Sequence, residues 1–312
     1  MLPVSELPRV SIVTPAYNQA EYLAAAMRSV LAQDYPALEY IVIDDGSRDG
    51  SLAVAQAIAA EHPGRVQVLT QPNAGQAATL NRGWALASGQ ILAYLSSDDL
   101  LCPGAVTTMV NALQAHPDWG VAYCDCWLID ASGRRVREHI AQDFDVRAMQ
   151  VDLVCHPGPA AFFRRDVFEA NGGWDVRRRQ VPDFEFWLRA SRRFHFARVP
   201  EHLAEYRIHE GSASFQAMSP ERADEIVEVV QGFWHGQALT PDIRASLARA
   251  HSIAAKNHAQ AGRPGRALVH LAGAMKSRPA IALAPWLWRQ LLVGFTRRLY
   301  YRALRSMRRG AA

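Results

Sequence analysis

Short β-branched runs alternate with Ala- and Leu-rich stretches along the first hundred residues. The runs predict strands, each bounded by turn residues, at 9–18, 38–45, 66–71 and 91–97. Apolar positions recur at helical spacing between them, which predicts helices at 20–33, 52–62 and 77–88. Strands and helices that alternate in this way predict an α/β fold with a mostly parallel sheet covered by helices on both faces.

Polar side chains follow each of these four predicted strands. They are Tyr17-Asn18, Asp44-Asp45, Gln71-Pro72-Asn73 and Asp98-Asp99. The carboxyl ends of parallel strands meet at one edge of a sheet, and ligands of such sheets bind beyond that edge. We therefore expect these polar residues to gather around a ligand.

The pattern changes in the second half of the chain. It predicts a helix at 103–116, a strand at 120–129 that joins the sheet at an edge or as a mixed addition, and a strand with a short helix within 157–175. A helix at 181–194 and a strand pair within 196–214 follow. Beyond Ser219 the chain is helical and Ala-rich, with one unit that resembles a tetratricopeptide-like helical pair. Two domains are expected, at 1–215 and 216–312.

Charge is distributed unevenly. The formal net charge is +4, from 34 Lys and Arg against 30 Asp and Glu. From Ile243 to the end there are 14 bases and no acid, so residues 1–242 carry 20 bases and all 30 acids. A basic tail on an acidic body favours a negatively charged partner, such as a membrane or a nucleic acid.

Several classes of protein are disfavoured by what the sequence lacks. The four cysteines include a C-x-C at Cys124 and Cys126, but no second Cys/His pair at zinc spacing, so thiols in a reducing cytosol are expected. No signal peptide or membrane-spanning helix is predicted. The first strand is not followed by G-x-G-x-x-G, which disfavours a dinucleotide oxidoreductase.

Six segments, in this order, resemble glycosyltransferase family 2, the inverting enzymes of the GT-A fold. They are "SIVTPAYNQAEYL", "YIVIDDGSRDGS", "NAGQAATLNRGWALASGQILAYLSSDD", "GGWD", "DFEFWLR" and "YRIHEGSAS". The resemblance covers about residues 8–214. It implies a GT-A core with a helical C-terminal extension, a nucleotide-sugar donor, for which a UDP-sugar is expected, and a divalent cation, Mn²⁺ or Mg²⁺.

A nucleotide-sugar donor needs partners for its base and ribose. Tyr17 and the backbone at Pro15 are candidates for the wall against the base, and Asp45 for the acceptor of the base's ring N–H; the resemblance implies that role for Asp45. Asn73 and Gly75 lie in the next strand-end loop, where a glycine permits close approach of the backbone to a ligand. The alternatives are packing for Tyr17, a structural anchor for Asp44 and Asp45, and a plain turn at 73–75.

The resemblance places the cation at Asp99, in the "SDD" that stands where the family has its D-x-D motif. Hard cations prefer carboxylate oxygens and neutralise the charge of a diphosphate leaving group. Asp99 matches the metal-binding aspartate of the family, and Asp98 is expected at the ribose or beside the metal. Ser97 replaces the first acid of the commoner D-x-D motif. His209 matches a position that can add a metal ligand; the alternative is a histidine that caps a turn.

Inverting transfer requires a base that takes the proton of the acceptor hydroxyl. Asp183 matches the catalytic aspartate of the family, although Pro182 precedes it where an acid is common. Glu185 lies about 200° further around the helix, so we expect an ion pair or a sugar contact there. The alternative for Asp183 is an ordinary acid at a helix N-terminus.

The tail at 284–310 holds five aromatic residues among seven arginines. It predicts an amphipathic helix at a membrane surface. The family resemblance implies a lipid-linked or saccharide acceptor, and with the tail it leads us to expect a cytoplasmic protein that is peripheral at the inner face of the membrane. A helix packed on its own domain is the alternative, and nucleic acid is not expected as a partner. A processive synthase is disfavoured because no Q-x-x-R-W motif occurs. A non-catalytic nucleotide-sugar sensor remains the alternative to an enzyme.

Overall fold

A computed structural model of the chain describes residues 7–209, 211, 218–283, 285, 288 and 289. These residues fall into two compact units. The described residues of 1–145 and 155–212 form the first, and the described residues of 146–154 and 213–312 form the second. Residues 146–154 lie in the middle of the predicted first domain but cluster with the helical unit. None of the described helices has the length and hydrophobicity that a membrane span requires.

The first unit is built on one mixed sheet. Its strands are β1 Val10–Ala16, β2 Leu38–Asp44, β3 Gln67–Thr70, β4 Ile91–Tyr94, β5 Leu100–Leu101, β6 Trp119–Ile129, β7 Arg135–His139, β8 Phe162–Arg164 and β9 His195–Arg207. Among the described residues the order is β3-β2-β1-β4-β8-β6-β9-β5, with β7 paired to β6. The helices are α1 Ala20–Leu31, α2 Ser51–Glu61, α3 Gln76–Leu86, α4 Ala105–Ala115, α6 Arg165–Asn171 and α7 Pro182–Ala190.

The strands β1 to β4 form the parallel part that the sequence predicts. All seven residues of β1 are buried, as expected of a central strand covered on both faces. Backbone bonds extend the ladder past the strand ends, from Asp45 N to Ala16 O at 2.8 Å and from Gln71 N to Asp44 O at 3.0 Å. The polar ends of neighbouring strands therefore lie side by side, as the sequence predicts.

The other half of the sheet departs from the predicted elements at two points. β6 lies inside the sheet, antiparallel to β8 and parallel to β9, which confirms the mixed addition and excludes an edge strand. The strand pair predicted within 196–214 is wrong for the described residues, because β9 is one strand from His195 to Arg207. Its pairing jumps from Val199 to His202, and Pro200 lies in this bulge, where its missing N–H breaks no ladder bond.

The second unit contains a short helix α5, Val146–Gln150, and the helices α8 Pro220–Phe233, α9 Pro241–Gln260 and α10 Pro264–Ser277. The helices α8 and α9 start at Ser-Pro and Thr-Pro steps. Ser219 Oγ accepts from Arg222 N at 3.3 Å, and Thr240 Oγ1 accepts from Ile243 N at 3.2 Å. Small residues such as Ala255 and Ala274 line the α9–α10 contact and let the two helices approach closely. This pair is the helical hairpin that the Ala-rich pattern predicts.

Candidate functional site

Asp45 holds the loop after β3 against the end of β2. Its side chain is 2% exposed. Oδ1 accepts from Gln71 Nε2 at 2.7 Å and from Ala74 N at 2.8 Å, and Oδ2 accepts from Gly75 N at 2.7 Å. Asn73 Nδ2 donates to the Asp45 carbonyl at 3.0 Å. The structure thus brings the predicted nucleotide residues Asp45, Asn73 and Gly75 together, with both oxygens of Asp45 engaged by the loop.

Asp44, the residue before Asp45, has one carboxylate oxygen without a hydrogen bond from the described residues. Its Oδ2 accepts from Ser47 N at 3.2 Å and from Thr70 Oγ1 at 3.4 Å. Its Oδ1 is buried and accepts no hydrogen bond from any described residue. A buried carboxylate oxygen without a partner is costly, so such an atom is notable at a strand end. The sequence interpretation assigns the contact with the base to Asp45, whereas the carboxylate oxygen without a hydrogen bond belongs to Asp44.

The predicted wall for the base is only partly at the surface. Pro15 is buried within β1, opposite Ile43 of β2. Tyr17 follows the strand and is 47% exposed. Tyr17 is therefore the residue of the two whose side chain is open to a ligand at this edge.

Arg179 also contacts the loop after β3, at Gly75. The sequence interpretation did not include this residue. Gly75 has a φ of +89°, and a Cβ placed on it would lie 1.7 Å from Arg179 Nη1. The guanidinium of Arg179 therefore occupies the space that a side chain at position 75 would fill. Arg179 precedes α7, so the segment that leads to Asp183 packs on the loop that Asp45 holds.

Asp98 and Asp99 lie in the turn between β4 and β5. The strand β4 ends at Tyr94, earlier than predicted, and this leaves the two acids in a turn closed by Asp99 N and Ser96 O at 3.2 Å. Asp99 is 2% exposed, and its Oδ1 accepts from the backbone N of Arg207 at 2.9 Å. Burial, and then the adjacent charge of Asp98, raises the pKa of Asp99 well above its ordinary value.

His209 reaches this turn from the end of β9. Its Nε2 lies 3.0 Å from Asp98 Oδ2, and its ring lies 4.7 Å from the ring of Tyr22. The structure thus brings His209 next to the acidic pair, as the sequence predicts, with Asp98 as its partner. Arg207, two residues earlier on β9, was not singled out by the sequence, although it contacts both aspartates.

These side chains suit a divalent cation. Among the described residues, Asp99 forms no salt bridge and its Oδ2 accepts no hydrogen bond, although the side chain is buried. A buried carboxylate without a paired charge is unfavourable unless a cation compensates it. Asp99 and Asp98 offer the hard oxygen atoms that Mg²⁺ and Mn²⁺ take, and His209 offers a nitrogen that suits Mn²⁺ better than Mg²⁺.

Asp183 lies in the first turn of α7, which begins at Pro182. Burial raises the pKa of the Asp183 carboxyl, although the N–H groups of Phe184 and of Asp183 itself act in the opposite direction. Tyr94 lies within electrostatic reach of both Asp183 and the acidic pair. Burial, then the charge of Asp183 and, as a smaller cause, the charge of Asp99 raise the pKa of Tyr94 well above its ordinary value. Asp183 and Asp99 therefore act on the same buried tyrosine.

Glu185 and Arg189 fix the orientation of α7. The two form a bidentate ion pair at 2.6 and 2.8 Å, the ion pair that the sequence predicts at Glu185. Arg189 also donates to the carbonyl of Gly173 at 2.6 Å. Asn81 of α3 exchanges two bonds of 2.8 Å with the backbone of Trp174. The Gly-Gly-Trp turn thus joins α7 to α3, the helix whose N-cap is Gly75.

A second cluster lies in the helical unit. Asp224 Oδ1 lies 2.6 Å from His258 Nε2 and 2.8 Å from His270 Nε2. Among the described residues, these three form the group that could hold a metal ion. However, Arg263 Nε donates to His258 Nδ1 at 2.9 Å, so the ring proton must lie on Nε2. A metal on Nε2 would require a proton on Nδ1 facing the arginine. The cluster is therefore a hydrogen-bonded network.

Comparison with known proteins identifies a family for the chain and solved structures of the same fold. The sequence model of Glycosyl transferase family 2 matches residues 11–172, a little over half of the chain. An uncharacterized glycosyltransferase of Nostoc sp. is 29% identical over 169 residues, 52% of this chain and 52% of that protein. The O-antigen biosynthesis protein RfbC of Myxococcus xanthus is 31% identical over 173 residues, 54% of this chain and 13% of that protein. The chain thus matches about half the length of the first relative and less of the second.

Solved structures share the fold at low identity. The mannosyltransferase PcManGT from Pyrobaculum calidifontis, in complex with GDP-Man and Mn²⁺, is 19% identical with a TM-score of 0.60, over 96% of this chain and 89% of that one. TarS 1–349 of S. aureus, in complex with UDP-GlcNAc, is 17% identical with a TM-score of 0.64, over 92% and 89%. These similarities confirm the GT-A fold with C-terminal helices that the motifs predict.

Proposed function

Since the chain belongs to glycosyl transferase family 2, we propose that it moves a sugar from a nucleotide-sugar donor to an acceptor hydroxyl with inversion. The observation that carries this proposal is the buried carboxylate of Asp99. It stands beside Asp98 without a salt bridge among the described residues. Such a site suits a divalent cation and the diphosphate of a donor.

The donor binds at the edge formed by Tyr17, Asp45, Asn73 and Gly75. Asp45 sets the conformation of the loop through its bonds to Ala74 and Gly75. Tyr17 offers a flat face to the base. The two similar structures hold GDP-Man and UDP-GlcNAc, which supports a nucleotide sugar here, and we propose a UDP-sugar as the donor.

Asp99 and His209 would hold the cation, Mn²⁺ or Mg²⁺, and Asp98 lies beside them as the hydrogen-bond partner of His209. When bound, the cation offsets the negative charge that develops on the departing nucleoside diphosphate. The protein's part is to orient the two carboxylates, and His209 and Arg207 supply those contacts. The Mn²⁺ in the similar mannosyltransferase structure supports this assignment.

Asp183 takes the proton of the acceptor hydroxyl at its carboxylate. The acceptor oxygen then attacks the anomeric carbon on the face opposite the departing diphosphate, which inverts the configuration. The burial that raises the pKa of Asp183 makes the carboxylate a stronger base. Pro182 at the start of α7 fixes the helical turn that presents it.

The acceptor is a lipid-linked or soluble saccharide in the assembly of a cell-surface polysaccharide or glycolipid. The similarity to an O-antigen biosynthesis protein supports this. We also propose that the basic tail at 284–310 contacts the inner face of the membrane. Apart from Pro285, Trp288 and Arg289, the tail lies outside the described residues.

The transferase proposal is tested by nucleotide release from a panel of UDP-, GDP- and dTDP-sugars, with Mn²⁺ or with a chelator. Metal-dependent release in the presence of lipid-linked or saccharide acceptors supports the proposal. Donor binding without turnover would favour a nucleotide-sugar sensor. The tail is tested with vesicles: replacing four of its seven arginines with glutamine should abolish co-sedimentation with anionic vesicles, and unchanged co-sedimentation contradicts the membrane contact. The replaced positions are Arg297, Arg298, Arg302 and Arg305.

A further inference from the structure

Arg207 ends β9 as a buried arginine, 4% exposed. Its guanidinium donates only to carbonyl oxygens: Nε to Asp98 at 2.8 Å, and Nη1 to Asp130 and Ala131, both at 3.1 Å. Among the described residues it forms no salt bridge. The Cζ atom lies 4.8 Å above the ring of Tyr22. Burial of a charged guanidinium without a paired carboxylate costs free energy. The hydrogen bonds of Arg207 to the backbone therefore suggest that it holds the backbone in place.

The bonds of Arg207 converge on the acidic turn from two sides. The side chain fixes the carbonyl of Asp98, which belongs to the peptide that joins the two aspartates. The backbone N–H of Arg207 fixes Oδ1 of Asp99. One residue therefore sets both the peptide plane and the rotamer of Asp99, and leaves Oδ2 of Asp99 without a hydrogen bond from the described residues.

The guanidinium of Arg207 binds neither carboxylate of the pair, so it occupies no oxygen that a cation would need. A lysine has the charge but lacks the planar fork that reaches three carbonyls at once.

We propose that Arg207 is a positioning residue for the divalent cation. It holds the turn at 98–99 so that Asp99 presents a free oxygen. In this proposal Arg207 acts through the backbone of the turn, because its Nε and Nη1 are engaged by backbone carbonyls. This inference rests on the proposed function, because the cation belongs to the same site.

The test measures Mn²⁺ binding to the full chain by electron paramagnetic resonance of the free ion, with and without UDP. The variants are Arg207→Met and Arg207→Lys. The control is Arg198→Met, because Arg198 lies on the same strand and forms an ion pair of 2.6 Å with Asp125. We expect Arg207→Met to weaken Mn²⁺ binding about tenfold or more, equivalent to about 1.4 kcal/mol. Arg207→Lys should weaken it by at least about threefold, and Arg198→Met should bind as the wild type does.

A structural role alone would give a different result. If Arg198→Met weakens Mn²⁺ binding as much as Arg207→Met does, or if Arg207→Lys binds as tightly as wild type, the proposal is overturned. The lysine variant decides the matter if Arg207→Met fails to fold. Wild-type protein that binds no Mn²⁺ under either condition also overturns it. Wild-type protein that binds Mn²⁺ but releases no nucleotide from any donor contradicts the proposed function and leaves the positioning role measurable.

If the protein transfers sugar, the positioning role of Arg207 should appear in how activity depends on the Mn²⁺ concentration. Arg207→Met should raise the Mn²⁺ concentration for half-maximal activity, and kcat at saturating Mn²⁺ should recover toward the wild-type value. A fall in kcat that no Mn²⁺ concentration restores contradicts positioning of the cation and points to direct participation in catalysis.

Discussion

His209 Nε2 lies 3.0 Å from Asp98 Oδ2, whereas Asp99 takes its hydrogen bond from the backbone of Arg207. The two neighbouring acids are thus oriented by two different residues of β9 and the loop after it. Ser97 replaces the first acid of the commoner D-x-D motif, so the site has few carboxylates for a cation. Cation binding should therefore depend more strongly on how Asp98 and Asp99 are oriented.

Replacing His209 should weaken cation binding. His209→Ala removes the proposed nitrogen ligand together with its bond to Asp98, and should weaken Mn²⁺ binding about tenfold or more. His209→Gln keeps a donor and should lose less. Titration with Mn²⁺ measures both variants. Mn²⁺ affinity that is unchanged in His209→Ala contradicts a role for this histidine at the cation.

Asp45→Asn should loosen the nucleotide loop. An amide cannot accept on both sides, so the bonds from Ala74 and Gly75 cannot both persist. We expect a loss of about 1–3 kcal/mol in the free energy of unfolding and a higher KM for the donor. Asp49→Asn is the control, because Asp49 also accepts backbone bonds, from Ala20 and Ser51. A donor KM raised equally in both variants would contradict a role for Asp45 at the donor.

Gly75→Ala should destabilise the loop at 73–75 and weaken donor binding, because position 75 has a positive φ and a Cβ there would collide with Arg179. Gly104→Ala is the control for a positive φ, since Gly104 has φ +74° and ψ 0°, against +89° and 161° at Gly75, with nothing within 4 Å of a Cβ. Both variants bear the cost of the backbone conformation, about 1–3 kcal/mol. Only Gly75→Ala should also raise the donor KM. Donor KM values that match in the two variants would contradict placement of the donor at this loop.

Acid should destabilise the helical unit. Burial, followed by the charge of His270, lowers the pKa of His251, and burial also lowers the pKa of His270. The unfolded chain therefore binds more protons than the folded one below about pH 6.5, so the stability is full above that pH and is lost as the pH falls. The pKa of Asp224 is also lowered, so its contribution is lost in stronger acid.

Urea unfolding between about pH 8 and about pH 5 measures this effect. His270→Asn should flatten the pH dependence, whereas His235→Asn, at an exposed position of the same unit, should leave it unchanged. The charged groups that face the rings are Asp224, Arg263 and Arg266. Stability that rises on acidification, or a slope that His270→Asn leaves unaltered, contradicts this account.

The parallel half of the sheet was predictable because each strand is one continuous run in the sequence, and β1, β2 and β4 are largely buried. The pattern failed at β9, since Pro200 suggests a break that the bulge against β6 absorbs. The pairing register between β6 and β9, which are far apart in the sequence, determines that β9 is one continuous strand. Local composition does not reveal that register. The placement of residues 146–154 is non-local in the same way.

The candidate site was predictable as far as its acids and histidine, because each follows a predicted strand or starts a predicted helix. Arg207 and Arg179 were not, since an arginine in a loop or at a strand end usually faces water. Their importance comes from what they touch, the turn at 98–99 and Gly75. The network around Asp224 was missed because it joins three helices.

The most direct measurement of the central claim is sugar transfer by Asp183→Asn against Asp166→Asn. Asp166 is an exposed acid in the first turn of α6, so it controls for the helix dipole alone. The account predicts that Asp183→Asn lowers kcat about a hundredfold or more with little change in donor KM, while Asp166→Asn transfers at the wild-type rate. Transfer by Asp183→Asn at the wild-type rate would contradict the assignment of Asp183 as the base.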